Sequence, residues 1–204
     1  YPRVIGVALG GDMWSPGVDP IHRQTIAVVE SNCSLIGKGH LFVHLTKNPY
    51  AIEPTLWNLP NQWMGVSVTD DRVYHLIQAL DDNSGPAVHR WVSFEPILSQ
   101  IVLPNEWDIL ADWLHRFHVE WVVVGGLSDS SGHFVPCYEA GGLQWQWAQT
   151  VIKAACKAGC RVFCKNLSGS VWPNLANPRT GNWMAGPREL RELPPAWAAL
   201  KRKE

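Results

Sequence analysis

The stretch that most constrains the fold is VEWVVVGGLSD, residues Val119–Asp129. Trp121–Val124 is a continuous apolar run, and such runs are typical of strands that helices cover on both faces of a parallel sheet. Gly125 and Gly126 follow directly, at the carboxyl end of the predicted strand. Parallel α/β folds place their chemistry at this end of the strands. The stretch therefore predicts an α/β fold with its functional groups at one edge of the sheet.

Five other segments repeat this design, each a short apolar strand with a polar residue at its end. They are Arg3–Leu9, His40–Leu45, Trp63–Val68, Arg90–Phe94 and Arg161–Cys164. Helices are predicted between them at Pro20–Cys33, Tyr50–Leu59, after a cap at Asp70 or Asp71, at Asn105–Phe117 and at Leu143–Lys157. This alternation implies right-handed crossovers and a parallel sheet.

The strand pattern favours a parallel (β/α) barrel or partial barrel of about six strands, TIM-like or radical-SAM-like. An open doubly wound sheet is the alternative, although no GxGxxG motif follows the first strand. With 204 residues, a single domain is expected. Its last part, 168–204, is rich in Pro, Gly and Trp and is predicted to wrap the barrel mouth irregularly.

Composition narrows the class of partner. The net charge of −1 provides no global field for nucleic acid or an anionic membrane, although a local basic groove stays open. Five cysteines and no long apolar run predict a cytoplasmic protein with reduced thiols and no membrane span. Of the twelve tryptophans, Trp14, Trp172 and Trp183 lie in Gly/Pro-rich loops, where they either stack on a ligand or pack in the core.

Ten residues at the six strand ends would converge if the ends share one rim: Asp12, Thr46, Lys47, Ser67, Thr69, Glu95, Gly125, Gly126, Lys165 and Asn166. Lys47, Glu95, Asp12 and Lys165 are the catalytic candidates, because they combine acid, base and anion-binding groups. Candidates for cofactor binding are Ser67, Gly125, Gly126 and Asn166. The structural alternative is an ion pair between Lys47 and Glu95.

Two further motifs allow both a functional and a structural interpretation. Gly125 and Gly126 either expose backbone N–H groups to an anion or form a tight turn with positive φ. Cys156, Cys160 and Cys164 suggest a metal cluster, but the C-x3-C-x3-C spacing matches no common zinc or ferredoxin pattern. Buried thiols are the better interpretation of these cysteines, and no metal site is predicted.

The strand ends together resemble those of a phage-associated family of unknown function, which looks like a variant of the radical-SAM barrel. Six short motifs of that family are similar to segments of this chain. They are Ser-Asp-Leu-Phe at Gly11–Trp14, Leu-Thr-Lys-Arg-Pro at Leu45–Pro49, Gly-Val-Ser-Val at Gly65–Val68, Ser-x-Glu-Pro-Leu-Leu at Ser93–Leu98, Trp-Val-Ile-x-Gly-Gly at Trp121–Gly126 and Phe-x-Lys-Gln at Phe163–Asn166. The chain departs from the family pattern at Asn48, Thr69, Leu127 and Asp129, where Arg, an acidic residue, Glu and Gly are expected.

This resemblance implies that Lys47 and Glu95 position substrate or cofactor. It also implies that Gly125 and Gly126 approach the methionine carboxylate of S-adenosylmethionine and that Lys165 neutralises an anion. Family members usually carry three N-terminal cysteines for a [4Fe–4S] cluster. In this chain they would lie upstream of Tyr1, so cluster and S-adenosylmethionine are expected only with such a segment.

Two other functions remain open from the sequence. One is a metal-independent barrel enzyme acting on a small phosphorylated molecule, with Lys47 and Glu95 as the acid and base and the glycine pair as a phosphate cradle. The other is a non-catalytic barrel that holds single-stranded nucleic acid with loop tryptophans and the strand-end lysines.

Overall fold

The computed structural model describes most of the chain. The described residues are 2–8, 11–35, 39–73, 75–102, 105–126, 144–165, 175–176, 183–184, 192–194 and 196–197. Six strands form the main sheet: β1 (Val4–Val7), β2 (Leu41–Thr46), β3 (Gln62–Ser67), β4 (His89–Phe94), β5 (Val119–Val124) and β6 (Arg161–Cys164). Four helices connect them: α1 (Pro20–Leu35), α2 (Leu76–Asn83), α3 (Trp107–Arg116) and α4 (Gln144–Ala158).

All neighbouring strands pair in parallel, and their order in the sheet is their order in the chain, β1-β2-β3-β4-β5-β6. The sheet curls into a half-barrel with helices outside, which confirms the predicted partial barrel. A doubly wound sheet reverses its strand order at a switch point. Since this order never reverses, the doubly wound alternative is wrong.

Buried apolar side chains form two clusters, one on each face of the sheet. The larger lies between sheet and helices and includes Val66, Val122 and Leu114. The smaller lies on the concave face and is dominated by tryptophan: Trp63, Trp91, Trp121 and Trp197, with Val43 and Val123. Burial on both faces explains why the central strands have no polar alternation in the sequence.

The helix predicted at Tyr50–Leu59 is wrong. Only Pro49–Ala51 is helical there, as a short 3₁₀ turn, and turns and bends follow it. Pro54 lacks the N–H that a helix interior needs, and its ring disfavours a helical conformation at the residue before it. The loop still packs inward, since Ile52 and Trp57 are buried.

The helix before β4 starts later than its predicted Asp cap. Asp71–Val73 is a 3₁₀ turn, and α2 begins at Leu76. The Asp70 carboxylate accepts a hydrogen bond from the Arg72 backbone N–H at 2.9 Å and pairs with the Arg72 guanidinium at 2.8 Å. This local turn satisfies the carboxylate, so it does not cap a helix.

The structural interpretation from the sequence is confirmed for two of the three cysteines and for Trp14. Cys160 and Cys164 are buried in the larger core, whereas Cys156 is only partly buried against it. The Cys160 thiol lies 3.1 Å from the Val119 carbonyl oxygen. Trp14 is 2% exposed and packs edge-on against Trp57, so it belongs to the core and does not stack on a ligand.

The C-terminal part contains a two-residue antiparallel pair, β7 (Leu175–Ala176) with β8 (Trp183–Met184). Trp172 and Cys137 lie outside the described residues. None of the helices in the described chain combines the length and apolar character needed to cross a membrane.

Candidate functional site

Tryptophan rings form the floor of the concave face. Trp91 extends from β4 across β3, and its indole N–H donates to the His44 carbonyl oxygen at 3.0 Å. Gly65 makes this possible, because a Cβ at that position would lie 2.2 Å from the ring. The Trp121 indole donates to the Glu192 carbonyl oxygen at 3.0 Å. The rings are therefore fixed by hydrogen bonds as well as by packing.

A cavity of about 490 Å³ lies above this floor, and we call it the central cavity. Its volume is in the range of small-molecule sites. Its wall contains three of the four predicted catalytic residues, Lys47, Glu95 and Lys165. The full lining is Val4, Gly6, Val43, Leu45, Lys47, Ser67, Trp91, Ser93, Glu95, Trp121, Val123, Lys165 and Trp197. Four of the ten residues predicted at the rim thus line one cavity: Lys47, Ser67, Glu95 and Lys165. Thr69, Gly125 and Gly126 do not line it.

Glu95 pairs with Lys165, with 2.6 Å between the carboxylate and ammonium groups. Glu95 therefore forms its ion pair with Lys165 and not with Lys47, as the structural alternative from the sequence had it. Gly125 lies at the end of β5, between the strands that carry the two charges. A Cβ on Gly125 would lie 2.9 Å from the Glu95 carboxyl carbon. The missing side chain gives the carboxylate its place.

Gly125 does not have the backbone role predicted for it. Its N–H donates to the Phe94 carbonyl oxygen at 3.1 Å, and its own carbonyl accepts from the Ile97 N–H at 3.2 Å. Its φ is not in the positive range either. Both the anion-cradle and positive-φ interpretations are therefore wrong for Gly125. Gly126 is buried, and Asn166 lies outside the described residues.

Lys47 is exposed and reaches the cavity from the end of β2. Within the described residues its ammonium group has no ion-pair partner. Ser67 and Ser93 are register partners on β3 and β4, and both hydroxyl-bearing side chains line the cavity. One ammonium and two neighbouring hydroxyls form a donor set suited to a carboxylate or phosphate oxygen.

Asp12 has a structural position beside this site. Its carboxylate accepts hydrogen bonds from the Thr46 hydroxyl at 2.8 Å, from the Lys47 backbone N–H at 2.7 Å and from the Trp14 backbone N–H at 3.0 Å. These bonds tie the loop after β1 to the end of β2. We therefore assign Asp12 to holding the loop beside Lys47, because most of its acceptor capacity is occupied.

Asp12 also lines a second cavity, of about 450 Å³, which we call the side cavity. The loops after β1 and β2 enclose it. Its lining is Gly11, Asp12, Ser15, Pro16, Leu45, Thr46, Lys47, Asn48 and Ser67. Leu45, Lys47 and Ser67 line both cavities. The two cavities therefore adjoin at the end of β2.

Sequence reasoning assigned no site role to Ser93, Trp91 and Trp121. The signal for them is the period of two in a strand. Counting back in twos from Glu95 gives Ser93 and Trp91, all on the face that lines the cavity. Because apolar residues occur on both faces of the strands, the sequence does not show which alternate positions face the cavity until one rim residue, such as Glu95, is assigned to it.

The described cysteines do not fit the three ligands of an iron–sulfur cluster at this rim. Cys33 lies on α1 and Cys156 on α4, while Cys160 and Cys164 face the helix side of the sheet. None of these four lines either cavity. Across the described ranges, no three His, Cys, Asp or Glu side chains are grouped to hold a metal ion. The chemistry below therefore uses no cluster.

Fold and site together define a parallel α/β half-barrel protein with a charged cavity at the carboxyl ends of its strands. The chain belongs to the family described as protein of unknown function DUF5131, whose model matches residues 1–189. Comparisons with curated proteins and with solved structures gave no match.

Proposed function

We propose that this protein is an enzyme that binds a small anionic molecule in the central cavity. The observation that carries the proposal is the convergence of Lys47, Glu95 and Lys165 above a floor of tryptophans. Active sites of parallel barrels lie at the carboxyl ends of the strands, where these three residues lie. The aromatic floor excludes water and offers a planar surface, while the rim supplies charge.

The three charged residues have different roles in the proposed site. Lys165 is held by Glu95, so their charges largely compensate each other. Lys47 has no such partner among the described residues and supplies the net positive charge that attracts a carboxylate or phosphate. Glu95 is 27% exposed and lines the cavity, where its carboxylate would orient a hydroxyl or ammonium group of the ligand.

S-adenosylmethionine is the particular ligand we propose, in keeping with the radical-SAM-like, phage-type family that the strand-end motifs resemble. Its adenine would lie over the Trp91 and Trp121 rings, and its carboxylate would contact Lys47. Cluster chemistry would need cysteines from outside the described residues. The proposal therefore concerns the binding of S-adenosylmethionine and the orientation of its reacting groups by this chain.

A direct test is isothermal titration calorimetry with S-adenosylmethionine on the wild type and on Lys47→Met. A lost charge-assisted hydrogen bond is worth about 1.5–3 kcal/mol, so we expect binding to weaken about 10- to 100-fold. Lys153→Met is the matched control, because Lys153 is an exposed lysine on α4 outside the cavity lining. Absence of binding, or equal loss in both variants, would overturn the proposal for this ligand.

One observation favours a second candidate, an enzyme of phosphorylated small molecules. Lys47, Ser67 and Ser93 could bind a phosphate without the glycine cradle that the structure excludes at Gly125. The same titration with ribose 5-phosphate separates the two. If the sugar phosphate binds, depends on Lys47 and excludes S-adenosylmethionine from the site, the second candidate replaces the first.

A further inference from the structure

The side cavity adjoins the central cavity, and the proposed function does not use it. The two cavities have similar volumes, about 450 and 490 Å³. Each is large enough for a ligand group of its own. They meet at Leu45, Lys47 and Ser67, so a ligand bound to the Lys47 ammonium can extend into both.

The walls of the two cavities differ in chemistry. Trp91 and Trp121 line only the central cavity, which therefore suits a planar apolar group. Ser15 and Asn48 line only the side cavity. The Asn48 amide N–H donates to the Trp14 carbonyl oxygen at 2.8 Å, which fixes the amide and leaves its oxygen as an acceptor. Such a wall suits a group that bears hydroxyls.

The side cavity is held in shape by contacts among α1 and the loops that enclose the cavity. The Arg23 guanidinium donates to the Met13 carbonyl oxygen at 3.2 Å and pairs with Glu53 at 3.1 Å. Asp12 connects the same loop to Thr46. A cavity whose walls are fixed in advance binds its ligand at a lower entropic cost.

We infer that the site takes a two-part anion, in which one anionic group links a planar group to a hydroxylated group. The anionic group lies against Lys47 and Ser67, where the cavities meet. The planar group occupies the central cavity over the tryptophans, and the hydroxylated group occupies the side cavity. This inference rests on the proposed anion site of the central cavity and specifies the ligand class of that site. S-adenosylmethionine lies outside this class, because its carboxylate is terminal and links no further group.

Three nucleotide probes test the inference: ADP-ribose, AMP and ribose 5-phosphate. ADP-ribose has both parts, AMP has the planar part and the anion, and ribose 5-phosphate has the anion and the hydroxylated part. Two or three added hydrogen bonds of about 1 kcal/mol each predict that ADP-ribose binds at least about 10-fold more tightly than AMP.

Gly11→Leu is the variant that separates the cavities. Gly11 lines the side cavity, and a Cβ there would meet no atom within 4 Å, so the site has room for a larger side chain that we expect to occupy part of this cavity. We expect the variant to bring the affinity for ADP-ribose down to that for AMP and to leave AMP binding within about 2-fold of wild type. Ser15 lies in the same loop after β1 and also lines the side cavity, so Ser15→Leu is the replacement variant if Gly11→Leu does not fold.

The outcomes distinguish the inference from the proposed function. If AMP or S-adenosylmethionine binds with dependence on Lys47 but ADP-ribose gains nothing over AMP, the two-part ligand is refuted and the anion site stands. The same holds if ADP-ribose binds tightly and Gly11→Leu and Ser15→Leu leave that affinity unchanged. If no probe binding depends on Lys47, both the site and its extension are wrong.

Discussion

A buried Glu–His pair on the helix side of the sheet gives the sharpest test of how this fold is held together. Glu30 on α1 and His44 on β2 are 1% and 0% exposed, and their Oε1 and Nε2 atoms are 2.9 Å apart. The two atoms are in close contact, although their geometry is not that of a hydrogen bond. The Gln62 amide donates to the other Glu30 oxygen at 2.7 Å. We predict that His44→Leu destabilises the protein strongly.

The magnitude follows from what each substitution leaves behind. His44→Leu leaves the buried Glu30 carboxylate with the Gln62 amide but without its histidine partner, and removing one member of a buried pair of this kind costs about 3–5 kcal/mol. Glu30→Met leaves the His44 imidazole and the Gln62 amide without the Glu30 carboxylate, at about 1–3 kcal/mol. The double variant replaces both groups with apolar ones, which is often near neutral. Its cost should therefore be well below the sum of the two single costs.

Urea unfolding at pH 7, followed by circular dichroism, measures these free energies for the wild type, both single variants and the double variant. The control is His22→Leu, because His22 is an exposed histidine on the same α1 helix. It should change stability by no more than about 0.5 kcal/mol.

Two results would refute the reasoning about the pair. The first is a cost for His44→Leu within the range of the His22→Leu control, because the buried carboxylate would then not need its partner. The second is strict additivity of the two single substitutions. Since a coupling energy of at least about 0.5 kcal/mol is expected for groups in contact, additivity would mean that the pair does not interact.

Three shorter predictions concern other parts of the fold. Gly65→Ala places a methyl group 2.2 Å from the Trp91 ring, so overpacking should cost about 1–3 kcal/mol in urea unfolding. The hydrogen bond with Glu120 raises the pKa of His89 above 6.5, and Glu120→Gln should lower it in an NMR titration. The His89–Glu120 pair stabilises the fold below pH 6.5, and this stabilisation is lost as pH rises through the raised pKa of His89. Because the pair is partly exposed, its contribution to the free energy of unfolding should be about 0.2–1 kcal/mol. Gly159→Ala, at φ +83°, should lower the free energy of unfolding by about 1 kcal/mol.

The strands could be predicted because burial on both faces leaves an unambiguous apolar run. Arg161–Cys164 matches β6 at both ends, and the other strands differ by a few residues. The helix predicted at Tyr50–Leu59 failed because its apolar residues, Ile52 and Leu56 among them, pack inward from a loop. A short run of apolar residues at helical spacing also arises when single side chains of a loop pack into the core. Pro54 is the residue that disfavours the helix here.

The rim of the site could be predicted, but its pairing could not. That the strand ends meet follows from parallel strands in one sheet, and three of four catalytic candidates do share a cavity. Which charges pair depends on how the sheet orders its strands. Glu95 and Lys165 are 70 residues apart in the chain, and no local pattern connects them. The tryptophan floor of the cavity could not be predicted for a related reason. A tryptophan in an apolar strand gives the same sequence pattern whether its ring faces the cavity or the helices.

Strand order explains why a glycine directly follows the most apolar strand of the chain. β5 lies between β4 and β6, and a Cβ on Gly125 would lie 2.9 Å from the Glu95 carboxyl carbon, so a side chain there would displace the carboxylate that pairs with Lys165. Without a side chain at Gly125, the carboxylate meets the ammonium at 2.6 Å. That pairing occupies Lys165 and makes Lys47 the cation with no ion-pair partner in the described part of the cavity wall. Gly125, at the centre of the sequence pattern, thus acts through the space it leaves, and the proposed anion site depends on that space.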